Sequence, residues 1–94
     1  MTAETYASVW DALADSPEQA ANLRARAELM DAIAAHVRRH GWTQAEAARR
    51  CGVTQPRMND LLRGRLSRFS LDALVNLATV AGLRVQIETC EAAP

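Results

Sequence analysis

The sequence predicts a mainly α-helical domain of about five helices, closed by one C-terminal β-strand that pairs across a homodimer. Three observations carry this expectation. Apolar residues recur at helical spacing from Leu23 to Val37 and again from Leu71 to Ala81. Helix starts and stops are punctuated, with Ser16, Thr43, Thr54 and Ser70 as N-caps and Gly41, Gly52 and Gly82 as terminators. The periodicity changes from helical to alternating only in LRVQIET, residues 83–89.

At 94 residues the chain suits one small domain, close to the size where a partner's buried surface helps. Trp10, Trp42, Tyr6 and Phe69 are its aromatics, so the core must rest on Leu, Val, Ile and Ala. No apolar run is long enough to cross a bilayer, and MTAETYASVWD lacks the basic and apolar regions of a signal peptide. Cys51 and Cys90 form no CxxC pair and no metal spacing, which fits reduced thiols in a cytoplasmic protein. The zero net charge hides a segregation. Between His36 and Phe69 stand eight arginines against Glu46 and Asp60, while the remainder of the chain is acidic. All the basic residues are Arg, and the positive block coincides with the most ordered run of helix signals. That is the distribution of a polyanion-binding face.

Residues 1–15 form an acidic N-terminal segment carrying Glu4, Asp11 and Asp15. Val9, Trp10 and Leu13 fall at helical spacing, predicting a short helix or a segment that folds on contact. Residues 16–82 are the helical domain. Ser16-Pro17-Glu18-Gln19 supplies an N-cap, a Pro at N1 and a Gln at N3. The helix it opens reaches about His40, with Leu23, Ala27, Met30, Ala34 and Val37 on one stripe and Leu29 and Ile33 beside it. Arg38, Arg39 and His40 meet the negative end of its dipole.

Trp42 to Gly64 reads WTQAEAARRCGVTQPRMNDLLRG. Thr43 and Glu46 have the spacing of a capping box, and Gly52 stops the helix they open. Thr54 caps a second helix, with Pro56 in its first turn, where a missing N–H breaks no internal bond. Two short helices around a tight Gly turn make a helix-turn-helix. Ala48, Val53, Met58 and Leu61 can share its inner face, leaving Gln55, Arg57, Asn59 and Asp60 pointing outward. A basic loop follows from Arg63 to Arg68. Ser70 caps the last helix, Phe69 and Leu74 form a hydrophobic staple, and Leu71, Leu74, Val75, Ala78 and Ala81 make its inner stripe. In residues 83–90, Leu83, Val85 and Ile87 alternate with Arg84, Gln86 and Glu88. A lone strand leaves its backbone groups unpaired, and the same strand of a second copy is the simplest partner. Residues 91–94 are a loose tail.

This stretch resembles the helix-turn-helix of lambda-repressor-like (XRE-type) regulators. More narrowly, VTQPRMNDLLRG followed closely by FSLDAL resembles the HigA-type antitoxin branch, over about Leu23 to Glu88. The resemblance implies a lambda-repressor-like bundle. It also implies a protein that silences a HigB-type, RelE-like ribonuclease toxin and represses the shared operon.

The residues themselves predict a DNA interface. Gln44 and the neighbouring N-terminal amides suit a phosphate, and Thr54 sits beside them at the start of the second motif helix. Gln55 suits adenine and Arg57 guanine, each as a bidentate pair, and Asn59 suits a base or a phosphate. Arg63, Arg65 and Arg68 would meet the backbone, with Asp60 pairing to Arg57 or Arg63. Leu83, Val85 and Ile87 would form the dimer contact, and the dimer would span successive major grooves of a palindromic operator about 34 Å apart. Toxins of the implied kind are basic, which makes Tyr6, Val9, Trp10, Asp11 and Leu13 candidate toxin contacts; the same residues could instead cover the domain's own core. His36 and His40 are four apart but have no third ligand at matching spacing. No nucleophile motif or phosphate-binding glycine loop is present, so neither an enzyme nor a cofactor is expected. A stand-alone repressor without a toxin is the rival reading, and an interaction module using its Arg cluster on an acidic protein is a third.

Overall fold

The structure, a computed structural model, describes residues 14–93. Four α-helices follow one another: α1 (Pro17–Arg39), α2 (Gln44–Cys51), α3 (Gln55–Leu62) and α4 (Leu71–Val80). A short 3-10 turn, Leu66–Arg68, joins α3 to α4. The described residues therefore hold four of the five or so expected helices. The N-terminal segment with Val9, Trp10 and Leu13 lies outside the described residues.

Each helix begins where its cap chemistry places it. The hydroxyls of Ser16, Thr43, Thr54 and Ser70 accept from the amides of Gln19, Glu46, Arg57 and Ala73, satisfying donors that have no partner inside the helix. The reciprocal halves of the two capping boxes are spent elsewhere. The Gln19 side chain accepts from Asp15 N rather than from the cap residue, and Glu46 turns forward to Arg49 and Arg50. Gly52 takes the left-handed conformation at φ 71°, which turns α2 into α3 within three residues.

The core lies where α1 packs against α4 and α3, with α2 closing it from α3 and α4. Ile33, Met58 and Leu74 are fully buried at its centre, flanked by Met30, Val37, Leu61 and Phe69. Two stripes need correction. Leu77 is buried at 5% exposure whereas Leu71 and Val75 are half-buried, and Leu23 on α1 is half-buried too. At the end of the chain's helical part, Leu74, Leu77, Ala78 and Ala81 face inward, a stripe rotated from the expected one toward Leu77.

Residues 83–93 continue without helix, and no strand ladder forms among the described residues. The alternation nevertheless persists in the packing: Leu83 and Val85 lean on the core while Arg84, Gln86 and Glu88 are exposed. Ile87 is 83% exposed.

Candidate nucleic-acid interface

The helix-turn-helix is held rigidly by its inner face. Ala47 and Ala48 of α2 and Met58 and Leu61 of α3 are each at most 3% exposed, and Val53 in the turn packs against the same cluster. Burying Met58 and Leu61 fixes the rotation of α3. At helical spacing, the crest opposite them carries Pro56 and Arg63, with Asn59 and Asp60 on its shoulders. Gln55 and Arg57 lie on the two flanks.

Contacts draw the remaining expected positions toward α3. Gln44 Nε2 donates to Gln55 O at 3.2 Å, which brings the start of α2 against the start of α3. One amide hydrogen of Gln44 stays available to donate to a phosphate. Thr54 Oγ1 accepts from Arg57 N, so its own hydrogen can still be donated outward. Asp60 accepts from Arg65 Nη1 at 2.9 Å and from Arg68 Nη1 at 3.0 Å through each of its oxygens. The expected partner of Asp60, Arg57 or Arg63, is therefore corrected to Arg65 and Arg68. Gly64, at φ 74°, reverses the chain after α3 and swings the basic loop back over it. The Arg68 hydrogen bond, with both positive charges, holds the Asp60 carboxyl below its usual range, against a smaller opposing effect of desolvation.

Arg57 does not extend straight outward. Its guanidinium lies 4.3 Å from the centre of the Phe69 ring and donates to Arg68 O at 3.2 Å. From the opposite side, Arg26 of α1 donates to Leu66 O at 3.0 Å and Phe69 O at 3.3 Å. Two arginines, from α1 and α3, thus hold the main chain of the 3-10 turn that presents Arg65 and Arg68. Sequence reasoning missed Arg26, which is 40 residues from Leu66 and shares no local pattern with it.

A second cluster lies behind the motif. Trp42 stacks on His40 at 4.9 Å, meets His36 edge-on at 5.4 Å and carries the Arg50 guanidinium 4.8 Å from its ring centre. His36 Nε2 lies 2.9 Å from Ala81 O, joining the end of α1 to the end of α4. These contacts engage both histidines structurally, and no group of three His, Cys, Asp or Glu among the described residues is placed to hold a metal ion. Cys51 is buried, and burial pushes its thiol pKa up, the reverse of an activated nucleophile. No helix among the described residues is long and apolar enough to cross a membrane.

The model of one protein family, described as a helix-turn-helix domain, matches residues 12–89. No curated protein matches the chain. With the capped α2–turn–α3 unit, its buried inner face and the match over most of its length, the chain belongs to the helix-turn-helix domain family, whose common activity is DNA binding.

Proposed function

We propose that this protein is a transcriptional repressor that binds duplex DNA sequence-specifically as a two-fold dimer. The observation that carries the reading is the convergence around α3 of Gln44, Gln55, Asn59, Arg63 and the Asp60-tethered Arg65 and Arg68. Amides and guanidinium groups on one short helix and its flanking turn match the donors and acceptors of base edges and phosphates. In this reading Gln55, Arg57 and Asn59 read bases, and Gln44, Thr54, Arg63, Arg65 and Arg68 grip the backbone.

Arg57 must leave Phe69 to reach a base. A cation–π contact at a partly exposed site is worth about 0.5–1 kcal/mol. Arg57 must also give up its hydrogen bond to Arg68 O, worth about 0.5–1.5 kcal/mol, and a bidentate pair with guanine, which discriminates by about 1–3 kcal/mol, offsets these losses. Selection from random duplexes tests the proposal and should return an inverted repeat with half-sites about one helical turn apart. Arg57→Ala should cost on the order of 1–3 kcal/mol and relax preference at one base pair of each half-site. Equal loss on every sequence would reassign Arg57 to holding the turn, and a protein that selects no sequence at all would sink the repressor reading.

The second reading adds an antitoxin activity, supported by the resemblance of VTQPRMNDLLRG and FSLDAL to HigA-type proteins. The partner would be a HigB-like or RelE-like toxin encoded beside this gene. The acidic N-terminal segment with Tyr6, Val9, Trp10, Asp11 and Leu13 is the surface assigned to it. A stand-alone repressor is what remains where no such neighbour exists.

A further inference from the structure

From Arg84 onward, the main-chain groups have no backbone partner among the described residues. Leu83 N donates to Ala78 O at 2.9 Å, and beyond it no backbone–backbone bond is made among the described residues. The segment is nevertheless oriented, because Leu83 and Val85 pack on the core. Beside it runs a groove of about 490 Å³, floored by Leu29, Ala32 and Val75 and bordered by Val85 and Ile87. Ile87, at its end, is the most exposed large apolar side chain among the described residues.

We propose that this segment pairs antiparallel with the same segment of a second copy, in a single register whose two-fold axis passes through Gln86. This rests on the dimer in the reading above and adds its register and its contacts. In an antiparallel pair the directly opposed residues share a face, so the axis can fall on a residue but a slip of one position between strands turns the apolar face outward. The charges choose among the remaining registers. An axis at Arg84 or at Glu88 sets like charges opposite each other. One at Val85 sets Arg84 against Gln86, and one at Ile87 sets Gln86 against Glu88. With the axis at Gln86, Arg84 faces Glu88 twice, once on each side of the axis.

Neither Arg84 nor Glu88 has an ion pair among the described residues, so both are available for this exchange. On the other face the same register sets Val85 against Ile87 of the partner subunit, which covers the mouth of the Leu29–Val75 groove. One arrangement thus engages the unpaired backbone, both charges and the exposed isoleucine.

The test uses the full chain with Cys90→Ser as background, since Cys51 is buried. Directly opposed Cα atoms lie about 4.5–5.5 Å apart, within disulfide reach. Gln86→Cys should therefore cross-link to itself on mild oxidation. Arg84→Cys and Glu88→Cys should not, because each lies roughly 13 Å from its own copy. In parallel, Arg84→Glu or Glu88→Arg alone should weaken the dimer at least tenfold by sedimentation, and the double exchange should restore it. A dimer that cross-links at another position, or is not rescued by the double exchange, overturns the register while leaving the dimer standing. A wild-type chain that sediments as a monomer at tens of micromolar overturns both.

Discussion

Asp60 accepts from two arginines that follow it in sequence, and Arg68 reaches both of its oxygens. Its carboxyl titrates below the ordinary range because the charged form holds these bonds. A lowered folded-state value means the stabilisation is present above the unfolded value of about 4 and is lost as pH falls through the folded value. Asp60→Asn should therefore be less stable than wild type at neutral pH, with the difference shrinking below about pH 4. Urea unfolding across pH 3–7 measures this, and a constant difference would mean the negative charge is not what matters. An acidic residue amid the arginines of the motif was legible as an oddity needing a cation, but the choice of cation was not. Arg57 and Arg63 lie three residues away along the helix, whereas Arg65 and Arg68 reach Asp60 only after Gly64 turns the chain back.

Helix α3 depends on its cap because eight residues make few internal hydrogen bonds. Thr54→Ala should cost about 1 kcal/mol in stability while Thr54→Ser costs little, readable as a shift in the urea midpoint. Operator affinity lost beyond that, and kept in the serine variant, would mark the hydroxyl as a phosphate contact as well. The four caps and the Gly52 turn were legible because each is decided within four residues. The inner face of α3 was legible too, since Met58 and Leu61 are, with the half-buried Leu62, its large apolar residues. The flank was not. Arg57 turns toward Phe69, which the sequence places twelve positions on, in an element whose direction depends on the Gly64 reversal. Leu77 was missed for a related reason: an amphipathic stripe shows which residues are apolar, but the crossing angle decides which of them touch the neighbour.

Across the whole molecule, the positive block runs from the end of α1 through α2, α3 and the turn, while the acidic residues of the sequence concentrate in the first 31 positions and the last seven. The two charge regions suit different partners. Deleting residues 1–15 should leave operator binding within about threefold, because the inner faces of α2 and α3 share a buried core with α1 and α4. The same deletion should abolish capture of a toxin co-expressed from a neighbouring reading frame. Pull-down and mobility shift on the same preparation separate the outcomes, and retained capture would move the toxin surface elsewhere. At this scale the apolar alternation of Leu83 and Val85 was legible, but among the described residues no strand forms and no partner is met, since one sequence specifies what a segment offers and a second chain what it meets.

The ring of Trp42, lodged among His40, His36 and Arg50, gives the molecule a built-in optical gauge. With Trp10→Phe the remaining indole emission comes from the point where α1 ends and α2 begins, while His36 ties that point to the close of α4. Loosening there, by urea or by a core variant, should surface as a red-shifted spectrum before any bulk loss of helix signal. The helix-turn-helix can thus be watched from behind, with no dye attached to the face proposed to meet DNA.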